Sequence, residues 1–270
     1  MKFIDRLFTE ILFSRRFIRK SGYKLEKLFN NIILAPLVSS FFGIKLISVS
    51  KELYLIESFG YRLLIPKDSL LLAIKILKQN AYEEVYKLSD GDVGAHVGIF
   101  SIKAASEVRR GVVIAVEPEP RNYALLQYNI KLNNLESIII AINKACGNYH
   151  GKTTLYLAQN SRSYSINRPW FKTTIEVEVN TLDDIMKSLE LEEVNFLKID
   201  VEGSELEVLK GARETIKQSK NLKLALEVHI GQVNFQKVCE ALFDLGLYIR
   251  YVNKDLISRP VIYAEKTFHR

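Results

Sequence analysis

The spacing of apolar and polar residues changes along the chain, and each change marks an element. Near the start, Phe3, Ile4, Leu7, Phe8, Ile11, Leu12, Phe17 and Ile18 interleave with Asp5, Arg6, Thr9, Glu10, Arg15, Arg16, Arg19 and Lys20. This is the 3.6-residue period of an amphipathic helix. Pro36 predicts the end of a second short helix. Apolar runs over residues 52–56 and 61–65 flank Phe59-Gly60. They predict a β-hairpin turning at Gly60, with Pro66 stopping its second strand. Residues 69–77 then read as a helix, apolar on most sides.

Beyond residue 90 the pattern becomes an alternation. Short continuous apolar runs predict buried strands over 112–116, 137–142, 196–201 and 222–228, with later strands over 248–252 and 261–264. Helical spacing covers 99–105, 123–132, 204–217 and 235–245. Strands alternating with helices imply crossovers, hence an α/β fold with a mainly parallel sheet. The division that follows is a helical and hairpin N-terminal extension over 1–80 and an α/β domain over 81–270. In such a sheet ligands bind beyond the carboxyl ends of the strands, where the strand order reverses.

Composition narrows the class. The chain has 270 residues, 48% apolar and 26% charged, proportions that exclude a disordered, collagenous or disulfide-scaffold protein. Cys146 and Cys239 are too far apart for a metal knuckle or a redox pair and suit a reducing, cytoplasmic setting. The longest apolar run, 32–44, is broken by Pro36, Ser39 and Ser40, short of the roughly 20 residues of a membrane span. No signal-peptide pattern precedes it.

Charge is uneven. Residues 1–50 hold nine Lys or Arg against three acids, so this segment carries six of the seven net positive charges. The body is near neutral, without the spread of basic residues expected of a nucleic-acid reader, and nucleic acid is not the expected partner. The basic amphipathic stretch 1–20 reads first as a helix packed on its own protein with a solvated face. Its second reading is peripheral contact with the inner face of a membrane.

Four clusters carry candidate chemistry. Asp92-Val93-Gly94-Ala95-His96-Val97-Gly98 precedes a helical stretch, and glycines at such a turn let a ligand approach the backbone. Glu117, followed by Pro118, ends the next strand, where an acid can accept both hydroxyls of a ribose. Lys198, Asp200 and Glu202 alternate on one face of a strand end, and a buried strand carries three charges only when they are paired or used. Asp200 at the tip faces the cofactor crevice, Lys198 orients or tunes the carboxylates, and Glu205 reads as an acid at a helix N-terminus. Glu227 and His229 share one face of the following strand tip, with His229 a candidate general base. Lys198, Asp200, Glu202 and His229 are therefore the expected catalytic group. Gly151-Lys152-Thr153-Thr154 imitates the end of a phosphate-binding loop, but position 146 is Cys146 where that loop needs glycine. No metal constellation stands out, although acids near Asp200 could hold a hard cation.

These residues resemble the FkbM family of S-adenosylmethionine-dependent methyltransferases. The matching pieces are Asp92 to Gly98, Ile114-Ala115-Val116-Glu117-Pro118, Thr181-Leu182-Asp183-Asp184 and Leu197-Lys198-Ile199-Asp200-Val201-Glu202-Gly203-Ser204-Glu205. The last is the most specific. The resemblance implies a Rossmann-like seven-stranded methyltransferase sheet with helices on both faces. It implies S-adenosyl-L-methionine as cofactor and methyl transfer to an oxygen of a sugar, glycan, lipid-linked sugar or other small metabolite. By position it implies that Asp92, Gly94 and Gly98, with Ala95 and His96 between them, line the methionine part, and that Glu117, with Pro118, serves the ribose. One departure is visible: Ser89-Asp90-Gly91-Asp92-Val93-Gly94 runs straight into the glycine turn without the family's apolar stretch. The central strand is therefore expected to be cut short, with 82–88 as a substitute. Two rival functions follow: a nucleic-acid methyltransferase using the basic segment as an arm, and a degenerate module that no longer binds cofactor.

Overall fold

The computed structural model describes residues 44–58, 60–79, 90–108, 110–167, 169–253 and 259–266. The amphipathic stretch 1–20, the helix before Pro36 and the substitute strand 82–88 lie outside them. The chain divides into two compact units after Gln79.

The first unit holds a three-stranded antiparallel sheet, β1 (Lys45–Ser48), β2 (Leu53–Ser58) and β3 (Tyr61–Pro66), followed by helix α1 (Leu70–Gln79). Tyr61 pairs with Ser58 across the hairpin, and Gly60 takes φ +84°, a conformation open to glycine at little cost. Ile56, Leu63 and Ile65 fall on the buried face.

The second unit runs β4 (Asp90–Val93), α2 (Ile99–Glu107), β5 (Val113–Val116), α3 (Pro120–Leu132), β6 (Ile139–Ile142), β7 (Ala145–Cys146), β8 (Gly151–Leu157), β9 (Thr173–Asn180), α4 (Leu182–Ser188), β10 (Phe196–Ile199), α5 (Glu205–Gly211), α6 (Arg213–Gln218), β11 (Lys223–Glu227), α7 (Phe235–Asp244), β12 (Leu247–Asn253) and β13 (Val261–Lys266). The main sheet has seven strands in the order β12-β13-β11-β10-β4-β5-β6. Its first five strands along the chain pair in parallel, and β13 is antiparallel to both β11 and β12. From β4 the chain steps one way through β5 to β6, then the other way from β10 to β11. Right-handed crossovers in opposite directions put helices on opposite faces and open a crevice where the order reverses, between β4 and β10. This is the seven-stranded sheet that the family resemblance implies.

The central strand is not cut short. Asp90 to Val93 pair with β10 on one side and Gly91 to Val93 with β5 on the other, and β4 is as long as β5, β6 and β10, four residues each. An apolar pattern misses it because Asp92 sits in register with Lys198 of β10 and the two are ion-paired. Gly91 lies close against β10, where a Cβ would stand 3.2 Å from Phe196 O.

A second sheet, β7-β9-β8, was not predicted. It has a small core of Ala145, Leu155, Val177 and Val179. The loop-like Gly151-Lys152-Thr153-Thr154 is the first half of β8, paired to β9, and has no helix N-terminus to cradle a phosphate. The predicted helix 204–217 is two helices, α5 and α6, meeting at Ala212. Side chains of α4, α5, α6 and α7 close one continuous core with Val93, Leu197, Ile199, Leu224 and Leu226. Among the described residues, no helix is long and apolar enough to cross a membrane.

Candidate active site

The strand tips of β4, β5, β10 and β11 bring together the predicted residues. After Val93 the chain turns with Gly94 at φ +83° and Gly98 at φ +84°. A Cβ on Gly94 would sit 1.8 Å from Asp200 O, and one on Gly98 would sit 2.5 Å from Leu126 Cδ1. The turn therefore lies directly on the end of β10. Gly94 and Ala95 N–H donate to Val116 O at 3.1 and 3.0 Å, which anchors the turn to β5. His96, also at positive φ, directs its N–H to Glu117 Oε2 at 2.9 Å. Gly98 caps α2.

Glu117 is buried. Its Oε1 accepts from Glu119 N–H at 3.0 Å and more weakly from Asn122 Nδ2 at 3.5 Å. Burial pushes its carboxyl up to about 7, although the donors from Glu119, His96 and Asn122 pull the other way. Asn143 Nδ2 donates to the carbonyls of Glu117 and Pro118 and fixes the bend after the strand.

Asp92 is placed differently from expectation. It is fully buried, with Oδ2 accepting from Ser101 Oγ at 2.6 Å and Oδ1 from Lys198 Nζ at 3.0 Å. It lies beneath the turn as the counter-ion of Lys198 and not as an open lining group. Lys198 also donates to Gly94 O at 3.2 Å and stands 4.0 Å from Asp200 Oδ2. Burial alone would lower its ammonium pKa, but Asp92, Asp200 and Glu227 hold it above the ordinary lysine value. Lys198 thus ties the turn to the strand tip as a permanent cation.

Beyond β10, Asp200 is held by a hydrogen bond from its N–H to Val93 O, and its side chain is 22% exposed. Glu202 adopts φ +53°, a strained backbone for a non-glycine residue. Ser165 Oγ donates to its carbonyl at 2.6 Å and Arg259 Nη1 to its Oε1 at 3.0 Å. His229, 1% exposed, sits at the centre of this group. Its Nδ1 is 2.7 Å from Glu205 Oε1. Its Nε2 lies 3.3 Å from Glu202 Oε2, 3.8 Å from Glu227 Oε1 and 3.9 Å from Asp200 Oδ1, and makes a hydrogen bond to none of them. Burial would lower the imidazole pKa, but Glu202, Glu205 and Asp200 around the ring push it up to about 10. The expectation of His229 as a general base does not fit this surrounding, because a ring already protonated at neutral pH has no lone pair to offer.

Two groups were missed or misread from the sequence. Glu205 does lie in the first turn of α5, but it is buried and engages His229 and Gly203 N–H. Arg259 joins the cluster from the far end of the chain with no motif around it. The segment between β8 and β9 also escaped notice. Its Ser161 meets His96 and Asn122, and its Ser165 and Asn167 meet Glu202 and Gly203. It thus borders both the turn and the cluster.

Counted by formal charge, the carboxylates Asp92, Asp200, Glu202, Glu205 and Glu227 outnumber the cations Lys198, Arg259 and His229. The crevice is suited to a cationic ligand.

A glycine turn at the switch point of a doubly wound sheet, with an acid ending the next strand, defines a nucleotide-binding α/β domain. The model of the methyltransferase FkbM domain matches residues 92–249, more than half the chain, and the chain belongs to the FkbM family of methyltransferases. It is 29% identical over 156 residues to methyltransferase sdnD of Sordaria araneosa, covering 46% of this chain and 60% of that protein. It is 27% identical over 143 residues to methyltransferase 1 of Beauveria bassiana (strain ARSEF 2860), covering 44% and 56%. The chain thus matches less than two thirds of the length of these curated relatives. Among solved structures, it is similar to a SAM dependent methyltransferase from Aquifex aeolicus, with a TM-score of 0.43 and 16% identity over 72% of this chain and 89% of that one.

Proposed function

We propose that the chain binds S-adenosyl-L-methionine in the crevice between β4 and β10 and methylates an oxygen of a small hydroxylated acceptor, such as a sugar. The observation that carries this reading is the convergence at one switch point of the Gly94–Gly98 turn, Glu117 and the net-negative cluster of β10 and β11. The residues present fit the cofactor. Gly94 and Gly98 let the turn sit directly on the end of β10 and on Leu126, Glu117 is a buried acceptor at a strand tip, and the excess of carboxylates favours a cation.

When bound, S-adenosylmethionine supplies a methyl already made electrophilic by its sulfonium. The protein therefore has to align the acceptor and remove its proton. Glu117 would accept hydrogen bonds from the ribose hydroxyls, and Gly94, Ala95, His96 and Gly98 would hold the amino-acid part. Lys198 fixes the orientation of Asp200. Asp200, the most exposed carboxylate of the cluster, takes the proton from the acceptor hydroxyl. His229 serves as a fixed cation that holds Glu202 and Glu205 in place.

The test is transfer of labelled methyl from S-adenosylmethionine to a panel of sugars and hydroxylated metabolites. Asp200→Ala is expected to abolish product while cofactor binding and the unfolding temperature stay within the wild-type range. Full turnover by Asp200→Ala would remove Asp200 from this role.

A further inference from the structure

We infer that Asp200, Glu227 and His229 form a binding site for one divalent metal cation that holds the acceptor oxygen. This rests on the proposed function for its purpose but not for its existence. The strands β10 and β11 are parallel and in register, with Ile199 opposite Leu226, so the next residues, Asp200 just past β10 and Glu227 at the end of β11, stand side by side. His229 follows two residues later on the same face. One ligand atom from each residue lies within 4.8 Å of the others, the only such trio of His, Cys, Asp or Glu among the described residues. Ligands about 2.0 to 2.4 Å from a shared ion stand at comparable mutual distances.

Carboxylates that cluster at a surface do not by themselves mark a metal. The second observation is His229 Nε2. It is a buried nitrogen without a hydrogen bond of good geometry, with Glu202 Oε2 nearest at 3.3 Å and Glu227 Oε1 and Asp200 Oδ1 at 3.8 and 3.9 Å. A buried polar atom left without a partner costs on the order of 1 to 3 kcal/mol, so the arrangement calls for something to complete it. The other ring nitrogen is fixed by Glu205 Oε1 at 2.7 Å. An imidazole oriented through one nitrogen by a carboxylate, with the other left to face an ion, is the usual outer support of a metal-bound histidine. Each neighbouring cation has a nearer partner: Arg259 Nη1 bonds Glu202 at 3.0 Å and is ion-paired to Glu227 at 3.8 Å, while Lys198 bonds Asp92 at 3.0 Å and is ion-paired to Asp200 Oδ2 at 4.0 Å.

The ion displaces the proton that the His229 ring carries without it and so frees the Nε2 lone pair; two carboxylates and one imidazole suit a borderline-hard divalent ion such as Mn2+ or Mg2+. Three protein ligands leave coordination positions open. An acceptor with two neighbouring oxygens, such as a vicinal diol or a hydroxy acid, can occupy two of them, which narrows the substrate class. Coordination lowers the pKa of the bound hydroxyl, and Asp200 keeps Oδ2 for its proton. The O–CH3 bond forms as the S–CH3 bond breaks, with the electron pair staying on sulfur.

The experiment is titration of the full-length protein with Mn2+, followed by electron paramagnetic resonance of the free ion. A parallel titration with S-adenosylmethionine is run without metal. The expected result is about one bound Mn2+ per chain, weakened at least tenfold in Glu227→Gln and in Asp200→Asn. Should Glu227→Gln fail to fold, as judged by circular dichroism, Asp200→Asn at the more exposed position gives the same comparison. No Mn2+ uptake, or uptake unchanged in the folded variants, overturns the site. Failure of S-adenosylmethionine to bind while Mn2+ binds leaves the metal site standing and overturns the proposed function instead.

Discussion

At the scale of single residues, burial and hydrogen bonding decide what each charged group can do. Glu117 is the clearest case. Its carboxyl is raised from 4.5 to about 7 by burial, so between those pH values the folded chain holds a proton that the unfolded chain has lost. Its contribution to stability therefore falls as pH rises through that window. Ribose hydroxyls donating to the carboxylate favour its ionised form, so cofactor binding has the opposite dependence and strengthens as pH rises through about 7. Affinity for S-adenosylmethionine is expected to fall about tenfold from roughly pH 8 to roughly pH 6, while Glu117→Gln shows a flat profile. A flat wild-type profile contradicts a ribose role for Glu117. Gly94→Ala is a packing test, because its Cβ would meet Asp200 O at 1.8 Å at a backbone angle of +83°. A loss of about 2 kcal/mol or more is expected in thermal unfolding, and a change below about 0.5 kcal/mol contradicts the contact. Glu117 and Asp200 could be found from the sequence because they end apolar runs. The role of Glu205 could not, because its partner His229 is 24 residues away and meets it only after α5, α6 and β11 are in place.

At the scale of elements, the central strand is informative. Its sequence Asp90-Gly91-Asp92-Val93 has the composition of a turn, yet it forms β4. A strand in the middle of a sheet can carry Asp92 because the opposing strand supplies Lys198 in register. Local patterning sees only one half of that pair. The same argument gives a test. Lys198→Met leaves Asp92 buried without its counter-ion, and a loss of about 3 to 5 kcal/mol is expected in urea unfolding. Adding Asp92→Leu to Lys198→Met removes the unpaired charge and is expected to recover part of that loss. A double variant no more stable than the single one contradicts the pairing. The β7-β9-β8 sheet escaped for a different reason. β9 does alternate, as Ile175-Glu176-Val177-Glu178-Val179 with its apolar positions toward the small core, and this signal went unread, whereas β8 has one buried position, Leu155, and begins with Gly151-Lys152-Thr153-Thr154, which carries no apolar pattern. Strands β5, β10 and β11 of the main sheet, by contrast, were legible because they are buried on both faces.

At the scale of the whole molecule, the separation of charge matters. Six of the seven net positive charges belong to residues 1–50, while the crevice is net negative. A body of this kind gives nucleic acid little to hold, and binding to structured RNA is expected to be absent by filter binding between about 50 and 200 mM salt. Tight binding with a steep salt dependence would favour an RNA substrate and contradict the small-molecule reading. The most direct test of the central claim is calorimetric titration of the full-length protein with S-adenosylmethionine near pH 8, for wild type and Glu117→Gln. The account predicts one site per chain in the wild type. It predicts binding at least about tenfold weaker in the variant, the equivalent of losing one charge-assisted hydrogen bond. Absence of heat in the wild type, or equal affinity in the two proteins, would contradict it.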